Sequence, residues 1–514
     1  MGCHMEEPLR IEREIPYAPP PGSSQREDYQ TRVFYELWVR AFQDSDGDGI
    51  GDLRGLKERI GELKELGIGG VWLMPIYPSP LKDSGYDISD YTGVHPQYGT
   101  LEDLKEVIST FHDAGILVYL DMVFNHTSTL HPWFQSLIQE KERSPYRDFY
   151  LLSPVPLTRC AESAIGPFGS ERWSYLEELN LYYFHQFQPS QPDLNFWNPK
   201  VREELLKVLV FYQDLGVDGF RFDVPDRYYE KGSRCSMLPE TLEFFSELRK
   251  AIRGGFVAEI WGVPSVIRLA LTPDRFPMAF HFPLYFTILA VLLSEGSPAS
   301  LDELLEISLD GLPPGVSWAL ISGNHDLFRL ATFLGGDPQK LRLFFVLLLT
   351  LPGVPFIWMG DELGLPNGRE IRVDPRDLSR TPYPWEPTPP GFGFTRAEIP
   401  FLRFVEDADR FAYSRELQDP QSFLRFVRRM IYLRNRLPSL HKGSFRTREL
   451  RDHLWVFERS YREERVFIFV NFSRTTLSGG KGVWGTDLLT GERVSGPIAL
   501  SGLSFRLILE RDED

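Results

Sequence analysis

Cysteine is scarce, with only Cys3, Cys160 and Cys235 in 514 residues. Widely spaced and odd in number, they make neither a disulfide framework nor a zinc pattern, so reduced thiols and a reducing compartment are expected. Basic charge is also in deficit, 56 Lys and Arg against 72 Asp and Glu, for a formal net charge of −16. A surface of that sign repels nucleic acid and anionic membranes and suits a soluble protein with a neutral or small ligand. Long apolar runs are missing. The first thirty residues hold Glu, Arg and the Pro-rich stretch Ala18–Pro21 but no apolar leader, which points to the cytoplasm. The segment that comes nearest to a membrane span, Leu343–Met359, is broken by Thr350, Pro352, Gly353 and Pro355. A spanning helix needs about 20 unbroken apolar residues, so the segment reads as a buried helix, a turn and a strand. Nothing in the sequence specifies an oligomeric state.

What is present is enough apolar material, 42% of the chain, for a large core. Eight short apolar, β-branched or aromatic runs recur: Val33–Val39, Gly70–Met74, Leu117–Val123, Gly219–Val224, Phe256–Ile260, Met278–Phe282, Trp318–Ser322 and Val354–Met359. Stretches between them, such as Leu53–Leu66, Leu101–Ala114 and Val201–Leu215, carry apolar residues at helical spacing. Several stop at a glycine (Gly67, Gly115, Gly216), as a helix C-cap does. Strands apolar on both faces that alternate with amphipathic helices form a parallel sheet covered by helices, and the number eight implies closure. The expected fold is α/β, a (β/α)8 TIM barrel over 31–125 and 196–443. A Pro-, Ser- and aromatic-rich insertion after strand three forms a small domain over 126–195. From 444 to 514 the pattern turns to β-like runs (Leu454–Phe457, Arg465–Asn471, Phe505–Leu509) with glycine turns between, which predicts an antiparallel β domain. Residues 1–30 are an N-terminal extension.

In such a barrel the chemistry sits at the C-terminal strand ends. Strand three leads into Asp121-Met-Val-Phe-Asn125-His126, strand four ends Arg221-Phe-Asp223, strand five ends in Glu259, and strand seven runs into Asn324-His325-Asp326. One such charge could be an ordinary surface group. Asp223, Glu259 and Asp326 at three strand ends, with Arg221 and two histidines beside them, converge on one axis. Crowded carboxylates repel, so at least one keeps its proton near neutrality. That is what glycoside cleavage with retention requires: one carboxylate attacks the anomeric carbon while a protonated partner gives its proton to the leaving oxygen. Arg221, two residues before Asp223 on one strand, points the same way and holds Asp223 ionised.

These four segments resemble the signatures of the α-amylase family of glycoside hydrolases, and the resemblance covers nearly the whole chain. It implies Asp223 as nucleophile, Glu259 as general acid/base and Asp326 as the carboxylate that braces the distorted sugar. His126, Arg221 and His325 match sugar-binding positions. Gly85-Tyr86-Asp87 looks like the family's tyrosine platform, with Asp87 gripping far hydroxyls. Gln191-Pro-Asp193-Leu-Asn195 is similar to the exo-acting α-glucosidase, oligo-1,6-glucosidase and trehalose synthase version. Cys235…Leu238-Pro-Glu-Thr241, Met278-Ala-Phe-His-Phe-Pro283 and Arg380-Thr-Pro382…Trp385 resemble the trehalose synthase branch most, with Arg380 a substrate contact. The implied substrates are short α-glucosides: maltose, trehalose, and small malto- or isomalto-oligosaccharides. An alternative is a glucanotransferase or endo-acting amylase on longer α-glucans. A non-enzymatic binding relative would lack the carboxylates that are present here. Phe222, Val224, Ile260-Trp261 and Leu327 depart from that branch beside the carboxylates and leave the acceptor open.

Asp44-Ser-Asp46-Gly-Asp48-Gly-Ile50-Gly-Asp52 alternates carboxylates with glycines, like the first nine positions of an EF-hand loop, with Ile50 offering a backbone carbonyl. A structural Ca2+ is expected there, completed by other groups because Gly55 stands where the bidentate Glu would be. The trehalose synthase resemblance suggests a second site at Asn125, Asp193 and Glu230. No organic cofactor is called for.

Overall fold

The computed structural model describes residues 29–157, 172–232 and 234–510; all but the last two residues of the N-terminal extension, and Cys160, lie outside them. The eight apolar runs form the strands of one closed parallel barrel. They are β1 (Phe34–Leu37), β2 (Gly70–Leu73), β3 (Leu117–Met122), β4 (Gly219–Phe222), β5 (Gly255–Ala258), β6 (Met278–Phe280), β7 (Ser317–Ile321) and β8 (Val354–Trp358). Each pairs with its sequence neighbour, and Phe34 of β1 registers with both Gly70 of β2 and Phe356 of β8 to close the ring. Large and small residues alternate at the base. A Cβ on Gly70 would lie 2.4 Å from the Phe34 ring, and one on Gly255 would lie 1.7 Å from the Tyr119 hydroxyl. Those glycines admit the rings that plug the barrel bottom.

The helices follow local signals. Thr100 and Asp103 form a reciprocal capping box ahead of Leu101–Asp113, and Gly67 closes Ile60–Leu66 in the left-handed conformation at φ 91°. Leu343–Met359 resolves into the buried helix Pro338–Thr350 and β8, and among the described residues no helix is long and apolar enough to cross a membrane. Between β3 and β4 lie the helix Pro132–Glu140 and a three-stranded antiparallel sheet, Leu152–Ser153, Trp173–Leu176 and Leu181–Phe184. Bridges from His126 to Asp193 and from Tyr150 to Leu194 fasten this insertion at the strand ends. From Ser444 an antiparallel six-stranded sheet begins with the successive strands Ser444–Arg451, Leu454–Tyr461 and Glu464–Asn471. Its inner face, with Trp455, Phe457 and Ile468, shares one core with the barrel helices.

One expectation is corrected. Cys235 is disulfide-bonded, so the three thiols are not all reduced. It packs with Leu151, Trp173 and Phe184 of the inserted sheet. Sequence spacing does not reveal that the loop after β4 folds against the insertion.

Candidate active site

Arg221 organises the C-terminal mouth of the barrel. Its side chain leaves β4 fully buried, over the Trp72 ring at 4.7 Å. Nη1 donates to Asp121 Oδ1 at 2.8 Å and to Asp223 Oδ1 at 2.9 Å, and Nη2 donates to Glu259 Oε2. One guanidinium from the end of β4 therefore grips carboxylates from β3, β4 and β5. Burial pushes the Asp223 carboxyl well up, Arg221 pulls it down, and Glu259 and Asp121 push it up again. Burial and carboxylate crowding thus favour a proton on the cluster. Immediately after Asp223, Val224 adopts φ 35° and ψ 51°. A β-branched residue in the left-handed region costs on the order of 1–3 kcal/mol. This turn ends β4 abruptly and leaves Asp223 at the rim.

Across the mouth, Asp326 and His325 follow β7. His325 Nδ1 is 2.6 Å from Glu36 Oε1 and Nε2 is 3.2 Å from Asp326 Oδ2. Burial lowers the imidazole pKa, but Asp326 and Glu36 together raise it to about 9. Burial alone would raise the pKa of Asp326; His325, Arg376 and Arg380 overcome it and hold that carboxyl well below its usual range. Tyr86 stacks on His325 with centroids 4.9 Å apart and planes at 10°, and its hydroxyl donates to Asp121 at 2.8 Å. His126 is neutral, its pKa brought down to about 4 by burial, and Nε2 donates to the Tyr86 carbonyl at 2.9 Å. Asp223, Glu259, Asp326, His325, His126 and Tyr86 all line one cavity of about 260 Å³, which Phe187, Trp261 and Arg376 also border.

Three predicted contacts fall elsewhere. Asp87 is fully buried, and its carboxylate accepts from Ser79 Oγ at 2.7 Å and from the amides of Lys82 and Asp83. It folds its own loop and does not line the cavity. Asp83, four residues earlier, lines it instead, accepting from Gln191 Nε2 at 2.8 Å and pairing with Arg376 at 2.5 Å. The loop turns between the two, with Gly85 at φ 109°, so motif position did not identify which carboxylate faces inward. Arg380 is also buried behind the wall. It donates to the His325 carbonyl at 2.7 Å, to Ser84 Oγ at 2.8 Å and to Asp326 Oδ1 at 3.2 Å. Arg376 takes the position that borders the cavity, 3.0 Å from Asp326. Arg221 likewise acts from behind the carboxylates. Asp83, Arg376 and Glu36 escaped the sequence reading because their role depends on contacts 289 to 293 residues apart.

At the other predicted site, carboxylate oxygens of Asp44, Asp46 and Asp48 lie within 4.8 Å of one another. Asp44 accepts from the amides of Gly47 and Gly49, and Ile50 donates its amide to Asp48 at 2.8 Å. The loop's turns thus hold three hard oxygens together. Asp52 does not join them: it caps the helix Leu53–Glu58, accepting from Gly55 N and from Ser45 N and Oγ. Asn125, Asp193 and Glu230 do converge. The amide nitrogen of Gln186 sits 3.4, 2.9 and 3.3 Å from their respective oxygens and 3.0 Å from the Arg227 carbonyl. That is four oxygens around a group with two hydrogens.

Comparison with known proteins identifies the family. The family pattern described as "Alpha amylase, catalytic domain" matches residues 36–443. The chain is 33% identical over 471 residues to a trehalose synthase of Pimelobacter sp., covering 81% of each chain. It is 31% identical to an alpha-glucosidase of Apis mellifera, covering 86% of this chain and 84% of that one. The solved trehalulose synthase from Pseudomonas mesoacidophila superposes with a TM-score of 0.82 at 26% identity, over 95% of this chain and 100% of that one.

Proposed function

The chain belongs to the α-amylase family of glycoside hydrolases, an enzyme acting on α-glucosides, and from that premise we propose that it moves a single glucosyl unit between short acceptors by double displacement. The observation that carries the reading is Arg221 holding Asp223 and Glu259 on one guanidinium. Two carboxylates held on one planar fork stand close, as retaining enzymes require, whereas inverting enzymes keep theirs roughly 6.5–9.5 Å apart to leave room for water. Asp223 attacks the anomeric carbon while Glu259 gives its proton to the glycosidic oxygen, so the C–O bond breaks and a glucosyl ester forms on Asp223. Glu259, now a base, takes the proton of an incoming hydroxyl, which attacks the same carbon and frees Asp223. Arg221 opposes the burial and crowding that push the Asp223 carboxyl up, and so favours the ionised nucleophile that the attack needs. Asp326, held anionic by His325, Arg376 and Arg380, binds ring hydroxyls whose hydrogen bonds strengthen as the sugar flattens.

Short substrates are supported by Arg376. It ties Asp83 after β2 to Asp326 after β7 and Asp374 after β8, so a long glucan meets a bridge across the rim instead of an open groove. Relatives named trehalose synthase and alpha-glucosidase favour maltose and trehalose as the substrates to try first. Asp44, Asp46 and Asp48 fit a structural Ca2+ by donor type and spacing, and the four oxygens around Gln186 fit a second hard cation. Neither enters the reaction. The deciding experiment is incubation with maltose and, separately, trehalose, followed by product identification. Interconversion is the expected result; glucose alone means hydrolysis, and longer oligomers mean open-ended transfer.

A further inference from the structure

At the opposite, N-terminal end of the barrel lies a cavity of about 400 Å³ between the strand starts and the C-terminal sheet. Ser317 opens β7 on one wall, Trp318 and Leu312 make an apolar side, and Arg459, His441 and Lys442 make a basic one. Arg459, 1% exposed, stands on the strand Leu454–Tyr461, and Arg434, 0% exposed, lies behind it on the helix Phe423–Arg436. His441 and Lys442 end the helix Pro438–Lys442.

The charge here is unbalanced. Arg434 donates to the carbonyls of Leu349, Leu440 and Gly353, and Arg459 to those of Thr350, Gly443 and Ser444. Among the described residues no carboxylate bonds either guanidinium, and the charges that bear on Arg434 and His441 are all cationic. The carbonyls are those of two helix ends and the turns that follow them. A helix end carries at most about half a negative charge, so two ends offset roughly one guanidinium and leave the other, with Lys442, uncompensated. Such burial is costly without a counter-ion: it brings Arg459 down to about 9, and together with the three cations it brings His441 down to about 3. Arg434 Nε and His441 Nδ1 are buried with no hydrogen-bond partner. All this lies in a chain of net charge −16, so the patch runs against the overall sign of the protein.

We propose that this cavity is a binding site for a phosphate group, free or carried on a small polyol or sugar. Its oxygens accept from Arg459 and from a protonated His441, whose charging the anion itself favours. Lys442, exposed at the mouth, draws the anion in. The volume falls in the range of small-molecule pockets and exceeds what phosphate alone fills, and Trp318 and Leu312 offer a surface for a carbon skeleton. Occupancy would tie the base of the barrel to the C-terminal sheet, because Arg459 stands on the sheet while Thr350 and Gly443, whose carbonyls it holds, belong to the barrel side.

The test uses the full chain and two probes, inorganic phosphate and ribose 5-phosphate, the latter chosen because it has no glucosyl ring for the catalytic cavity. Binding is followed by titration calorimetry, with melting temperature measured against sodium chloride at equal ionic strength. The expected result is one saturable site in the parent and at least about tenfold weaker binding in Lys442→Ala and His441→Gln, two partly exposed positions that leave the buried arginines in place. Equal affinities for the two probes mean that the phosphate alone is recognised, and tighter ribose 5-phosphate means that the carbon skeleton contributes. Absence of a saturable site with both probes, or variants that bind like the parent, overturns the proposal. Phosphate raises melting temperatures non-specifically by surface exclusion, so a rise that persists in both variants counts against it.

Discussion

Asp83 and Asp87 are four residues apart on one loop and face opposite ways. Asp83 shares the cavity with Asp326 and Arg376, whereas Asp87 is spent on the turn that presents Tyr86. Asp83→Asn is therefore expected to raise KM and lower kcat/KM by one to two orders of magnitude with little change in melting temperature. Asp87→Asn should destabilise the fold by about 1–3 kcal/mol, the cost of disturbing buried hydrogen bonds, while the protein that remains folded keeps its KM. Steady-state kinetics and thermal melts on the pair separate the two roles, and the opposite pattern would return the substrate contact to Asp87. Asp223→Asn should remove turnover of maltose and aryl α-glucosides by several orders of magnitude with the fold intact by circular dichroism. Activity within about tenfold of the parent would reject the nucleophile. His325 sets a pH signature. Its folded pKa of about 9 lies above its ordinary value of 6.5, so the stability it contributes is complete below about 6.5 and is lost as pH rises through about 9. Melting temperature should fall over that window in the parent and fall less in His325→Gln; parallel curves would contradict the Glu36–His325–Asp326 relay.

The loop from Asp44 to Asp52 packs against the segment from Phe394 to Phe401, with Asp44 accepting from Thr395 and the Phe401 amide donating to Gly49. Cation loss should therefore be felt as stability and not as chemistry. Chelation is expected to lower the melting temperature, and calcium to restore it, while kcat measured at low temperature stays near the parent value. If calcium restores nothing, the metal assignment for Asp44, Asp46 and Asp48 fails. Asp52 provides a control within the same loop. Asp52→Ala should cost about 1 kcal/mol as a lost helix cap and leave the calcium response unchanged; loss of the response would make Asp52 a ligand after all.

For the whole molecule the cysteines give the sharpest check. With Cys235 in a disulfide, thiol titration of the denatured, unreduced protein should find one free thiol where a fully reduced chain shows three. Cys235→Ser should lower stability by about 2–4 kcal/mol, read as the shift of the denaturant midpoint. Three thiols in protein purified without reductant would restore the reduced reading.

The barrel itself was legible in the sequence. Strands buried on both faces are near-continuous apolar runs, and all eight runs became barrel strands because that pattern has few other ways to be satisfied. Asp223, Glu259, His325 and Asp326 were legible for a related reason. A residue just past a barrel strand's C-terminal end faces the mouth whatever the rest of the chain does, so strand position alone brings them together. Loop residues have no such constraint. Which of Asp83 and Asp87 turns inward, whether Arg376 or Arg380 borders the cavity, that Asp52 caps a helix, and that Cys235 is oxidised all depend on how distant loops pack. Backbone turning at Gly85 and long-range ion pairs across nearly 300 residues decide these points, and periodicity along the chain carries no record of them. The unpaired arginines beneath the barrel belong to the same class. Each is an ordinary basic residue in sequence, and only the tertiary structure buries both against helix ends, with no carboxylate among the described residues bonded to either.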